Sequence, residues 1–562
     1  MHHHLSLRTK IIVMISVMAS MFLVSLDQTI IATALGKITE QFNAYDSLSW
    51  VVTAYLVTTT LTVPIAGKLS DLFGRRMLLL IGVAIFTLGS MLSGVSGDIT
   101  QLILDRALQG IGGGIITANA FTIIGDLFAA RERGRWQGLI GAVFGLSSVI
   151  GPLLGGWLTD GQHILGAVTD WRWTFFINVP VGIVAFIMLA VFCPPLRHDN
   201  KPKIDYAGAV LLSIVLGLFI FAVDNTQSIF SGFLSWSGWD LVQLRLVMYA
   251  VVAVALGLFI WVEKRAHSPV LPLHFFRNWN FVLIMIAMSL FGAAFMGSIL
   301  YLTQFNQQVF GASPTQSGLM LLPMIAGMLT SSITSGQVIS RIGKYKIFMQ
   351  IGFSVATVTV FLFSMLNAHS SYALEAAIMV FTGLGMGIAM PTLNLAIQNE
   401  FSMKELGAAT SSNQLFRSLG STIGTAVFGA MLTAGLITGL GNIQSTPYVS
   451  TIKSSPAASK LGDFNDVNTM LTLNMPDVKT QITDAANKQF TQLPAPYAKA
   501  AKTEFKDNQT KFSTKVTSAF SHSLQHIFEI AAVLMVAATV TIFMVKERPL
   551  KSAKPEETPG EA

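Results

Sequence analysis

Apolar positions in this chain fall in long unbroken runs, separated by short polar stretches. The runs centre on about 11–36, 48–70, 77–97, 100–127, 135–159, 172–193, 206–223, 244–262, 279–303, 316–340, 346–367, 373–399, 405–438 and 523–545. A helix needs ~20 apolar residues to cross a hydrocarbon core about 30 Å thick. The pattern therefore predicts about fourteen membrane-spanning helices and an all-α polytopic membrane fold. The first run follows Arg8 and Lys10, contains Asp27 and has no convincing small-residue cleavage site, so it reads as a span and not as a signal peptide. One long hydrophilic segment, about 440–522, interrupts the pattern. Within it Tyr497, Ala501, Phe505, Phe512, Val516 and Phe520 recur at four- and seven-residue steps, which predicts one amphipathic helix. Packing on the outer face is its plain reading; partner binding or substrate filtering is the other.

Composition agrees. Of 562 residues, 52% are apolar and 12% charged, against about 25% charged in an ordinary soluble protein. The net charge of +7 forms no basic face, so nucleic acid is not expected as a partner. Instead the cations alternate by loop. Arg75 and Arg76, then Arg131, Arg133 and Arg135, then Arg197, Lys201 and Lys203, then Lys264, Arg265 and Arg277, then Arg341, Lys344 and Lys346 all fall on one side with both termini. The opposite short loops offer little beyond Lys37, Arg172 and Arg245. Positive loops face the cytoplasm, so both termini are expected there, an even number of spans follows, and the 440–522 segment lies outside. The tail 547–562, rich in Lys, Pro and Glu, reads as disordered. Cys193 is the only cysteine, which excludes an internal disulfide, and no His/Cys group has metal-ligand spacing. His2, His3 and His4 are set aside.

Between the second and third runs the chain reads GKLSDLFGRRMLLL, from Gly67 to Leu80, and a looser copy, GQVISRIGKYKIF from Gly336 to Phe348, falls between the tenth and eleventh. Similar loops in two halves suggest an internal repeat. Gly67, Asp71, Gly74, Arg75 and Arg76 resemble the signature loop of the major facilitator superfamily, whose halves are related by such a repeat. The second copy has Ser340 where Asp71 stands and carries no acid for a latch. Physically, Gly67 lets two helices approach closely and Asp71 suits the positive N-terminal end of a facing helix; the plain alternative is topology-setting arginines in a tight turn. The resemblance implies a latch in which Asp71, Arg75 and Asp126 hold the cytoplasmic side shut.

The fourth run, LILDRALQGIGGGII from Leu102 to Ile116, resembles the family motif with an intramembrane arginine. Arg106 in lipid costs about 2.5–3.5 kcal/mol on insertion scales, so it should face the bundle interior with a partner. Asp105 and Asp27 are both candidates. Gly110 and Gly114 form a GxxxG, read as a packing seam. SLDQTIIATAL, from Ser25 to Leu35, is similar to the motif of the fourteen-span drug:proton antiporters, with Asp27 at its acidic position. Counting ~1.5 Å per residue from the outer ends places Asp27 about 14 Å and Arg106 about 12 Å deep, so they can meet. A proton coupler must be a buried group whose charge can be switched, which favours Asp27 with Arg106 as its tuning partner over a purely structural pair.

GLSSVIGPLLGGWL, from Gly145 to Leu158, resembles the antiporter motif, with Ser147 a departure from the usual glycine. Its Gly151, Pro152, Gly155 and Gly156 are expected to make a bendable seam against the tenth run. WRWTFFINVPVG (from Trp171), GAATSSNQLFRSLGSTIGTAV (from Gly407), SPVLPLHFFRNWNF (from Ser268) and YLTQFNQQVFGASPTQSG (from Tyr301) extend the resemblance over the first thirteen runs. Gln304, Gln308, Asn394 and Asn413, with Arg417, are the candidates for lining a substrate cavity; capping, hydration and packing are their plain alternatives. The 25 methionines and 38 phenylalanines would give an adaptable wall. Runs nine to eleven contain no acid, which favours neutral or monocationic amphiphiles.

The resemblance implies the major facilitator fold: six-helix bundles at 1–195 and 276–546 joined by two inserted helices at 196–275. It also implies a monomeric, multi-pass exporter of a bacterial plasma membrane, moving amphipathic drugs or related small molecules against protons by alternating access. A proton-coupled transporter of a specific metabolite or lipid is the alternative. The chain has no GxxxxGK[ST] phosphate loop and no HExxH, so neither ATP, a metal nor another cofactor is expected, and no enzyme activity.

Overall fold

The computed structural model describes residues 6–42, 48–159, 161–164, 166–194, 205–223, 226–312, 314–441, 443, 446–453, 464, 467–492 and 494–550. Most of the predicted disordered tail, 551–562, lies outside the described residues. Fourteen helices follow the fourteen apolar runs: α1 Leu7–Phe42, α2 Leu48–Phe73, α3 Arg75–Val95, α4 Ile99–Leu127, α5 Ala130–Thr159, α6 Asn178–Phe192, α7 Tyr206–Val223, α8 Leu241–Glu263, α9 Trp279–Gln308, α10 Leu322–Ile342, α11 Lys346–Phe363, α12 Tyr372–Glu400, α13 Leu406–Leu440 and α14 Ala495–Met544. Their ends are set by local chemistry. Asp98 caps α4 by accepting from Gln101 N (2.9 Å), and Asn278 caps α9 by accepting from Asn280 N (3.0 Å). Gly343 ends α10 at φ 76°, a left-handed position that other residues disfavour.

Twelve of these helices are long and apolar enough to cross a membrane. Helix α10 falls short of that standard, and side chains within α5, at 148, 149 and 152, lie outside the described residues. Helix α10 carries Ser331, Ser332 and Ser335. The three serines are buried, and α5 and α10 pack along each other, so this polarity is covered by protein.

The packing repeats. Helix α1 lies against α4, α5 and α6, and α9 lies against α12, α13 and α14. Likewise α4 lies between α2 and α3 as α12 lies between α10 and α11. Each set of six is one bundle of a major facilitator fold. Helices α7 and α8 pair with each other, and α7 touches α2 and α13. A two-residue ladder, β1 His163–Ile164 with β2 Ala167–Val168, follows α5.

One predicted boundary moves. The amphipathic helix and the last span are a single 50-residue helix, α14, about 75 Å long, because no Gly or Pro occurs between Pro496 and Pro549 to break it. Phe505, Phe512, Val516 and Phe520 are buried, whereas Tyr497 is 70% exposed and stands off that face. Two short helices, Pro447–Lys453 and Pro476–Phe490, close on it. Tyr448 packs its ring 5.5 Å from Phe505 and 5.0 Å from Phe512.

Candidate functional site

Five helices meet at Asp27, which is wholly buried on α1. Its Oδ2 accepts from Arg106 Nη1 of α4 at 2.5 Å. Its Oδ1 accepts from Gln109 Nε2 at 2.8 Å and from Asn178 Nδ2 of α6 at 3.2 Å. Residues 106 and 109 lie one turn apart on one face of α4, and Arg106 Nη1 also donates to Gln109 Oε1 (2.8 Å). The guanidinium reaches Val51 O of α2 (3.3 Å) and lies 4.4 Å over the Tyr55 ring. Asn178 donates further to Ser90 Oγ of α3 (3.0 Å). Every charge here is paired or hydrogen-bonded, as burial demands.

Of the two candidate partners for Arg106, the structure selects Asp27. The adjacent Asp105 points elsewhere, and its Oδ2 has no hydrogen-bond partner. A helix turns ~100° per residue, so neighbours cannot share a face. The glycines of α4 make this approach possible. A Cβ at Gly110 would collide with Thr58 and with Tyr55 O of α2, and one at Gly114 would stand 2.7 Å from Thr59 O. The GxxxG is thus the α2–α4 seam.

The second cluster lies at the opposite end of α4. Arg75, 1% exposed, donates through Nε to Asp126 Oδ2 (2.8 Å) and pairs with Asp71 and Ser70. Asp71 in turn accepts from the backbone N–H groups of Gly407 and Ala408, both at 3.0 Å. These are orphan donors in the first turn of α13, where the helix dipole favours an anion. Gly74, at φ 97°, turns the chain between α2 and α3 in a way that needs glycine. Gly67 and Gly407 pack face to face: a Cβ on Gly67 would strike Ser411, and one on Gly407 would strike Asp71. Arg76 sits outside the cluster, donating to Ala190 O (2.5 Å).

A second seam joins the bundles at this end. Gln137 of α5 donates to Gln398 Oε1 of α12 (2.8 Å), Gln398 donates to Phe121 O of α4 (2.9 Å), and Ser332 donates to Gly138 O (2.9 Å). The second loop copy contributes Gly336, whose backbone abuts Gly134. Its Ser340 is half-buried.

The glycines of α5 divide their work. Gly145 faces Ile325, Met328 and Leu329 of α10, whereas Gly151, expected against α10, closes on Thr29 and Ile30 of α1. Thr29 Oγ1 donates to Ser147 O across that contact (3.0 Å). Gly155 is buried and Gly156 half-buried; the side chain of Pro152 lies outside the described residues.

The cavity candidates do not converge. Asn394 and Asn413 are buried and hydrogen-bonded to each other (2.7 Å), with Asn413 Oδ1 unpartnered. Arg417 Nε donates to Gln414 Oε1, one turn away (3.0 Å). Gln304 is half-buried. Gln308 is engaged by the segment before α14: it accepts from Asn474 Nδ2 at Oε1 (2.9 Å) and donates to Leu471 O (3.2 Å). Sequence reasoning assigned no role to Asn178, Gln137 or the Gly407 and Ala408 amides. All but Gln137 lie in blocks that carried the resemblance, so their signal was present without its geometry.

The profile of the Major Facilitator Superfamily matches residues 17–425. Multidrug transporter protein MdtP of Bacillus subtilis is 36% identical over 471 residues, which are 82% of this chain and 83% of that protein. Multidrug resistance protein 3 of the same organism is 31% identical, covering 95% of each chain. Among solved structures, the proton:xylose symporter XylE bound to 6-bromo-6-deoxy-D-glucose superposes with a TM-score of 0.58 at 13% identity, covering 96% of this chain and 97% of that one. The repeated six-helix packing, the signature loop docked on α13 and these likenesses agree: the chain is a transporter of the major facilitator superfamily.

Proposed function

We propose that this chain is a proton-coupled exporter of amphipathic small molecules, in which all fourteen helices cross the plasma membrane with both termini in the cytoplasm. The observation that carries the reading is Asp27: a carboxylate with no exposed surface, held by Arg106, Gln109 and Asn178 from two other helices. When ionised it binds Arg106 and draws α1, α4 and α6 together. When protonated it loses that attraction, and the desolvation penalty on the acid disappears with the charge. Proton binding thereby biases two helix arrangements. The names of MdtP and Multidrug resistance protein 3 support a drug-like substrate.

The Asp71–Arg75–Asp126 cluster and the Gln137–Gln398 seam close the cytoplasmic end, which fits a state whose cavity faces outward. One proton moving down about 150 mV supplies roughly 3.5 kcal/mol, at ~2.3 kcal/mol per charge per 100 mV, enough for a gradient of about 300-fold. The deciding experiment is Asp27→Asn in everted vesicles with ethidium under an imposed pH gradient. Accumulation should be lost while the protein still folds, and proton release on adding ethidium to solubilised protein should vanish. Full pH-driven accumulation in the variant overturns the assignment.

A further inference from the structure

The first and fourth helices of each bundle share a buried polar pair. In the first bundle the pair is Asp27 of α1 with Arg106 of α4. In the second, α9 and α12 occupy the matching places and contribute Asn306 and Glu375, both with no exposed surface. With its amide nitrogen turned to the acid, Asn306 donates to Glu375 Oε2 at 3.0 Å and to Oε1 at 2.9 Å. Among the described residues no cation forms a salt bridge with Glu375.

The surroundings are otherwise nearly free of charge. On its own helix Tyr372 lies one turn earlier, and α9 brings the buried Tyr301. Helices α5, α10, α11 and α13 bring no charged side chain to this end among the described residues. His369 in the preceding turn is exposed, as are His522, His526 and Glu529 of α14, a helix that does not flank α12. An enclosed carboxylate without a cation strongly disfavours its charged form. A neutral amide serves both protonation states: its nitrogen donates to the carboxylate, and after a half-turn its oxygen accepts from the protonated acid. A cavity of about 460 Å³, lined by Phe310, Gly311, Ala312, Gln316, Met320 and Tyr372, opens one helical turn from Glu375, within reach of water.

We propose that Glu375, held by Asn306, is a second proton-binding site of this transporter, the counterpart in the second bundle of Asp27 in the first. It rests on the reading that export is proton-driven, but its test is separate. Acid-minus-alkaline infrared difference spectra of the purified full chain report each carboxyl by its protonated C=O stretch. Glu375→Gln should remove one component that Asp27→Asn retains, and Glu375→Asp should restore it at a shifted frequency. A Glu375→Gln spectrum identical to the parent overturns the proposal whatever Asp27→Asn does. Loss of the component in Glu375→Gln, with Asp27→Asn silent, sinks the Asp27 reading and leaves this one standing. Where Glu375→Gln does not fold, Glu375→Asp decides alone: a shifted component supports the site and an unshifted band overturns it.

Discussion

Removing the Arg75 guanidinium tests the latch most directly. In the closed arrangement it is the cation between Asp71 and Asp126, which are 6% and 7% exposed. Arg75→Ala leaves two buried carboxylates with no cation between them. Asp71 keeps two backbone donors from α13, but Asp126 Oδ1 already has no partner. Breaking a buried pair costs ~3–5 kcal/mol when the remaining charge stays buried. Opening this end hydrates both acids and relieves most of that penalty, so the closed state should lose about 1–3 kcal/mol relative to the open one. That is a shift of about 5- to 150-fold in population. Ser332→Cys is the reporter: the serine is wholly buried in the α5–α10 seam, remote from Arg75, and becomes accessible only when the bundles part. The background is quiet because Cys193, the chain's single cysteine, is buried. Maleimide labelling of the introduced thiol should rise by that factor when Arg75→Ala is combined with the reporter. Labelling and transport both equal to the reporter parent would reduce Arg75 to a topology signal.

Gly407→Ala, by driving a Cβ into Asp71 and Gly67 O, should open the same end by about 1–3 kcal/mol and raise labelling of the same reporter thiol. Gln398→Leu removes its bonds to Gln137 and Phe121 O and should shift labelling in the same direction, by about 1–3 kcal/mol. Phe512→Ala should loosen the helices around the outer half of α14 by ~3–5 kcal/mol, seen as faster hydrogen exchange over Pro476–Phe490 with α1 and α4 still protected; faster exchange throughout would show that this unit is not separable. Lys479, donating to Ser513 Oγ at 3.2 Å, is held by burial below its ordinary 10.5. The unfolded unit therefore binds more protons just below that pH, so its stability should rise with pH over that interval, and Lys479→Met should flatten the rise in a thermal melt.

The sequence alone determined what one helix or one loop can encode. Fourteen apolar runs became fourteen helices because membrane length and hydropathy are local properties. Arg106 had to face inward with an acid because lipid leaves it no alternative, and Asp71 beside Gly67 could be read as an anion for a helix N-terminus from residue chemistry. The continuity of α14 was also legible, in the absence of any breaker from 497 to 548, although the change from amphipathic to apolar character suggested two elements. What only the tertiary structure decided are matters of which helix faces which. Asp27 and not Asp105 pairs with Arg106 because rotation about α4 is fixed by the glycines packed on α2. The donors to Asp71 are main-chain groups of α13, and every residue has such a group, so no side-chain pattern announces them. Gln308 docks the outer segment, and Glu375, an ordinary acid in the first turn of a helix, is enclosed because α9 places Asn306 over it. Such contacts join residues tens to hundreds of positions apart, and packing, not local preference, chooses among them.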